Sequence, residues 1–237
     1  MQYWGITDKG AVRSQNQDAF SVHPQSDGRI LAVVCDGMGG ARAGNVASEM
    51  TVALFTAAFE SITGTDDHRL GQAAIQANDH VFHRAITDDD CTGMGTTLVA
   101  ALIGEKQATL LNVGDSRAYL INENGIRQVT RDHSVVEDLV SSGKLSREEA
   151  RNHPRKNLIT RALGCEPQLR ADLFHVDVAQ GDHLLLCSDG LSNQLAEQEI
   201  LYEVIHGGEG DTCCQRLLDI AMHRGAPDNV TVVLVRC

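Results

Sequence analysis

Two hydrophobic patterns alternate along this chain. Short unbroken apolar runs read as buried strands, and stretches with apolar residues every three or four positions read as helix faces. Ile30–Cys35 is the first strong run; Thr96–Ile103, Ala108–Val113, Ser116–Ile121, Ile126–Thr130, Asp182–Ser188 and Val230–Val235 follow. Residues 3–8 and 19–23 read as shorter strands around the polar loop 9–18. Val46, Met50, Leu54 and Ala57 predict a helix that starts near Asn45, and Leu70, Ala73, Ala77, Val81 and Ala85 predict a second. The loop 63–67 separates them, and amphipathic segments recur at 197–206 and 213–223.

Residues 131–167 break the pattern, because charged residues and helix formers dominate and few positions suit a core. Ser146 and Glu149 have capping-box spacing. A surface subdomain or flap is expected here. Its His133, Arg155, Lys156 and Arg161 suit an anionic partner, or simply a solvated face.

The strand ends carry the candidate chemistry. Cys35-Asp36-Gly37-Met38-Gly39-Gly40 closes the first strong run with an acid and bare backbone. Gly114-Asp115-Ser116-Arg117 and Ser188-Asp189-Gly190 repeat the acid-and-glycine pattern, Asp18 precedes a strand, and Asp228-Asn229 opens the last one. Alone, each is an ordinary turn. If the five carboxylates converge, cations must neutralise them, because burying several together is costly. Oxygen-only ligands select hard ions such as Mg²⁺ or Mn²⁺, and a pair of such ions lowers the pKa of a bridging water. With Arg13 able to clamp an anion, that set describes metal-assisted hydrolysis of a phosphate ester.

Composition narrows the setting. At 237 residues, 42% hydrophobic and with 4 prolines, one domain spanning 1–237 is expected. The net charge of -12 argues against nucleic acid or an anionic membrane as partner. No apolar run reaches the length of a membrane span, and the first residues lack signal-peptide features, so a soluble cytoplasmic protein is expected. Seven cysteines without a Cys-x-x-Cys point to reduced thiols. His80 and His83 read as a solvated pair rather than a metal site.

Taken in order, Arg13-x-x-Asn16-Gln17-Asp18, Asp36-Gly37-Met38-Gly39-Gly40, Gly95-Thr96-Thr97, Gly114-Asp115-Ser116-Arg117, Ser188-Asp189-Gly190 and Asp228-Asn229 resemble the motifs of the PP2C (PPM) family of metal-dependent Ser/Thr protein phosphatases. The resemblance covers nearly the whole chain. It implies an α+β fold, a four-layer α-β-β-α sandwich of two antiparallel sheets flanked by helices. It also implies two Mn²⁺ or Mg²⁺ ions. Asp36 would bridge them, the Gly37 carbonyl would be a ligand, and Asp189 and Asp228 would complete one shell. Asp18 would serve the other ion directly or through water, and Arg13 would hold the substrate phosphate. Asp115, with Asp189, resembles the site of a third ion. The 131–167 segment would be the flap that shapes access.

Two departures stand out. Met38 occupies a position where animal members commonly carry a proposed general-acid His, so the leaving-group proton comes from water or a side chain such as His133. Gln17 replaces a frequent Glu, which leaves more of that site to Asp18. The implied partners are proteins phosphorylated on Ser or Thr, together with a Ser/Thr kinase that the enzyme opposes, and a monomer is expected. A non-catalytic scaffold would usually have lost metal-site acids. A phosphatase of small metabolites would share the same site.

Overall fold

A computed structural model of the chain describes residues 1–237, apart from the side chains of residues 40–42. In chain order the elements are β1 (Gln2–Asp8), β2 (Asp18–Pro24), β3 (Ile30–Met38), α1 (Gly40–Ser61), α2 (Asp66–Thr87), β4 (Gly95–Thr96), β5 (Leu98–Ile103), β6 (Gln107–Val113), β7 (Arg117–Asn122) and β8 (Gly125–Gln128). They continue as α3 (Val135–Ser141), α4 (Arg147–Arg151), β9 (Asp172–Asp177), β10 (His183–Cys187), α5 (Asp189–Ser192), α6 (Glu197–His206), α7 (Gly210–His223) and β11 (Val230–Arg236).

The strands form two antiparallel sheets, β1-β11-β10-β7-β8 and β2-β3-β5-β6-β9, with β4 paired to the end of β3. Side-chain parity explains the layering. In β3, Ile30, Ala32 and Val34 pack with Leu184, Leu186, Val233 and Val235 of the other sheet. The alternate residues Leu31, Val33 and Cys35 pack on Phe55 and Phe59 of α1 and Leu70 of α2. On the far side, Leu185, Val232 and Tyr119 pack on Ile200 of α6 and Leu217 of α7. The result is the α-β-β-α sandwich expected. Strands covered on both faces lose the apolar-polar alternation, which is why they read as unbroken runs. Each large apolar side chain buried this way contributes roughly 1.5–3 kcal/mol relative to exposure, so strand register, and with it the position of each strand end, is held firmly.

The structure corrects several boundaries. β3 runs past Asp36 to Met38, because Gly37 and Met38 find backbone partners in Thr96 and Gly95 of β4. The first helix begins five residues before Asn45, immediately after Gly39, whose φ of 137° turns the chain. The glycines and alanines at its start give no hydropathy signal, and Gly37 of β3 lets the helix approach closely. A Cβ at Gly37 would collide with the Gly44 carbonyl. Its buried stripe is Ala47, Thr51, Phe55, Ala58 and Phe59. Val46, Met50 and Leu54 only flank that stripe, and Ala57 is exposed. In α2, by contrast, Leu70, Ala73, Ala77, Val81 and Ala85 are all buried as expected. β9 was absent from the sequence reading, because this edge strand mixes Asp172, His175 and Asp177 with its apolar residues.

The 131–167 segment holds α3 and α4, neither with a buried residue, and the capping box forms between Ser146 and Glu149. It is not coreless. Leu163 is fully buried and exchanges backbone hydrogen bonds with Thr96 at 2.9 and 3.0 Å.

Candidate functional site

Five strand-end acids meet where the two sheets end together. A pocket of about 430 Å³ opens there, lined by Arg13, Gln17, Asp36, Gly37, Met38, Thr97, Asp115, Asp189 and Asp228, with Asn157 and Ile159 contributed by the 131–167 segment. The six-stranded sheet supplies Asp18 and Asp36, which stand directly opposite each other in the β2–β3 ladder. Like charges in that position repel across about 5 Å. The five-stranded sheet supplies Asp189, just after β10, and Asp228, just before β11. Asp115 lies in the turn between β6 and β7.

Local chemistry sets each of them. Asp36 keeps its backbone placed through Thr97, whose hydroxyl accepts the Asp36 N–H at 2.9 Å and whose N–H donates to the Asp36 carbonyl at 2.9 Å. Asp18 is buried behind the pocket, and its Oδ2 accepts from Ser188 Oγ at 2.7 Å and Thr231 Oγ1 at 2.6 Å. Asp228 accepts from Arg13 at 2.8 Å and from the Asn229 N–H at 2.9 Å. Asp189 accepts from Asn193 Nδ2 at 3.0 Å. Asp18 Oδ1 and Asp189 Oδ1 are buried without a hydrogen-bond partner.

Electrostatics follows from this crowding. Burial, opposed by the Thr231 and Ser188 hydroxyls and reinforced by Asp189 and Asp228, raises Asp18 to about 7. Burial and then the neighbouring Asp228 raise Asp189 to about 6. Asp36 is pushed well above the usual carboxylate range by burial, then by Asp18, Asp189, Asp115 and Asp228. Burial and Asp189 do the same to Asp115. Such a set is stabilised by protons or by cations, and orphaned buried carboxylate oxygens are where a hard cation fits. Among the described residues no three acids already close on one point; they ring the pocket instead.

The structure thus brings Asp36, Gly37, Asp115, Asp189, Asp228 and Arg13 to one pocket and places Asp18 directly behind it. Arg13 is half-exposed and engaged with Asp228. His133 lies elsewhere. Its Nδ1 accepts the Gly114 N–H at 3.1 Å, so Nε2 carries the proton toward Asp172 at 3.2 Å. Arg161 also pairs with Asp172, at 2.8 Å. These two residues line an adjoining cavity of about 830 Å³. Sequence reasoning assigned no role to Thr97, Ser188, Asn229 or Thr231. Thr231 did leave a signal, as the one hydroxyl in the strand Val230-Thr231-Val232-Val233-Leu234-Val235.

A family model described as protein phosphatase 2C matches residues 10–210. The chain is 41% identical to a serine/threonine phosphatase stp of Listeria welshimeri, over 97% of this chain and 93% of that protein. The fold is similar to the crystal structure of serine/threonine phosphatase Stp1 from Staphylococcus aureus, with a TM-score of 0.93 and 35% identity, covering 100% of this chain and 94% of that one. It is also similar to the catalytic domain of the serine threonine protein phosphatase PstP in complex with 2 manganese ions, with a TM-score of 0.85 and 35% identity, covering 98% of this chain and 96% of that one.

Proposed function

Since this chain belongs to the protein phosphatase 2C family, we propose that it hydrolyses phosphoserine and phosphothreonine esters in proteins at the pocket ringed by Asp36, Asp115, Asp189 and Asp228. One observation carries the reading. Two sheets deliver Asp18 and Asp36 on one side and Asp189 and Asp228 on the other, with two buried carboxylate oxygens left unpartnered. That donor set fits Mn²⁺ or Mg²⁺, and the family's manganese-bound relative supports a two-ion site.

Asp36 would help to hold both ions, with the Gly37 carbonyl, Asp189 and Asp228 for one and Asp18 for the other, and Asp115 with Asp189 would hold a third. Bound there, the ions would supply a water acidic enough to be a nucleophile at neutral pH. The chain's own groups do the rest. Arg13, at the rim, turns from Asp228 to the phosphate oxygens, and the pocket wall holds the ester so that attack and departure are in line. Water adds to phosphorus, the bond to the seryl or threonyl oxygen breaks, and inorganic phosphate leaves. Met38 has no proton to give and His133 faces the next cavity, so the departing alkoxide is protonated by water in the pocket.

The reading extends to context. The enzyme acts as a monomer in the cytoplasm, opposing a Ser/Thr kinase on that kinase and its substrates, with residues 131–167 as a flap over a catalytic domain of residues 1–237. All seven cysteines are free, which fits a reducing compartment. Among the described residues no helix is long and apolar enough to cross a membrane. The test is phosphate release from a phosphothreonine peptide. Turnover is expected to vanish in EDTA and return with Mn²⁺; turnover that persists in EDTA overturns the mechanism.

A further inference from the structure

The pocket is assembled from two sheets, so something must hold them in register where they meet. Asp18, on β2, receives its two hydrogen bonds from the opposite sheet: Ser188 at the end of β10 and Thr231 on β11. Both hydroxyl residues are fully buried. The direction of every bond in this network is determined by counting protons. Thr231 spends its only hydroxyl proton on Asp18, so Thr7 Oγ1, 2.7 Å away, must donate to Thr231. Thr7 in turn accepts from Asn16 Nδ2 at 2.8 Å. Ser188 Oγ donates to Asp18 while accepting the Thr231 N–H at 3.0 Å. All donors therefore point at one oxygen, Oδ2, and Oδ1 is left as the atom no protein donor reaches.

We propose that Ser188 and Thr231 are positioning residues for the cation site: their hydroxyls lock Asp18 of one sheet to the other sheet and hold back Oδ2, so that Asp18 offers a single oxygen, Oδ1, to the ion it serves. This rests on the two-ion reading above. It assigns work to two side chains that touch neither the pocket nor a substrate. A carboxylate fixed by two donors cannot rotate to bind through both oxygens, so it acts as a one-point ligand. A chain of hydroxyls that donate in the same direction also polarises the last donor, which strengthens the hold on Asp18. Asn229 backs the lock from the adjacent position. Its side chain accepts the Gln17 N–H at 2.8 Å and donates to the Lys9 and Gln15 carbonyls at 2.9 Å each, stitching the loop that carries Arg13 to the start of β11.

The experiment is calorimetric titration of Mn²⁺ into metal-free protein, with thermal unfolding followed in parallel. Thr231→Val keeps the shape and removes the hydroxyl; one Mn²⁺ site is expected to weaken by about 10–100-fold. Thr231→Ser, which keeps the donor, should stay within about threefold of the parent. In an Asp18→Asn background, Thr231→Val should change Mn²⁺ affinity no further, because the hydroxyl acts through that carboxylate. A folded Thr231→Val protein with unchanged Mn²⁺ affinity overturns the proposal, as does equal weakening in the Asp18→Asn background. If Thr231→Val fails to fold, Ser188→Ala decides in the same way. Absence of Mn²⁺ uptake by the parent protein would strike the two-ion reading itself, a result distinct from uptake that ignores the hydroxyls.

Discussion

The acid-ringed pocket and the 131–167 segment beside it are built by opposite means. The pocket draws on stretches separated by nearly the length of the chain, from Arg13 to Asp228, and each of its acids is placed at or beside a strand end of the packed sheets. The segment is stabilised locally. Ser134 caps α3, Ser146 and Glu149 cap α4, and neither helix buries a residue. It is tied to the core at a few points. His133 and Gly114 exchange hydrogen bonds at 2.9 and 3.1 Å, Thr160 donates to the His133 carbonyl at 2.8 Å, and Leu163 pairs with Thr96. The contrast teaches that costly buried charge needs the whole fold to hold it, whereas the neighbouring segment that adds Asn157 and Ile159 to the pocket wall has little core of its own.

Four outcomes would break or sharpen this comparison. The largest belongs to the pocket. Asp36→Asn should lower kcat on a phosphothreonine peptide by at least about 10³-fold, since it removes the carboxylate that the proposed mechanism assigns to both ions. A smaller loss would mean the ring of acids is dispensable.

The second concerns stability without metal. Asp18 rises from the usual 3.8 to about 7 and Asp189 to about 6, so the folded chain holds more protons than the unfolded one between about pH 4 and 7. Unfolding free energy should therefore fall as pH rises through that window, by up to roughly 4 kcal/mol from Asp18 alone. Melting temperatures in EDTA at pH 5 and pH 8 check the sign, and Mn²⁺ should remove most of the difference. A metal-free protein that gains stability toward pH 8 would contradict the buried-carboxylate account.

Third, Arg13→Ala should reduce kcat/KM by about 10–100-fold, the worth of a charge-assisted hydrogen bond of 1.5–3 kcal/mol. Steady-state kinetics on the same peptide measures it. Fourth and smallest, His133→Ala should release the clasp at Gly114, raise the peptide KM by about three- to tenfold and leave kcat nearly unchanged. If kcat fell as far as KM rose, the segment would be part of the chemistry rather than of access.

Much of this molecule was legible before any coordinates. Ile30–Cys35 and the stripe from Leu70 to Ala85 announced themselves, because deep burial on one or both faces imposes a hydropathy period that a linear reading detects. The first helix was legible in existence but not in phase. Glycine and alanine at its start carry no hydropathy signal, and its packing is centred on Ala47, Thr51 and Phe55. β9 escaped because an edge strand tolerates charge. Leu163 escaped because one buried apolar side chain in a charged stretch makes no period.

By itself, the sequence determined where apolar runs stop and acid-glycine turns begin, since both follow from local chemistry. Only the tertiary structure decided that Asp18 faces Asp36, that Ser188 and Thr231 hold Asp18 from the other sheet, and that His133 turns away toward Asp172. The physical reason is that such contacts span up to 213 residues along the chain, and their geometry is set by how two sheets pack rather than by any neighbour in sequence.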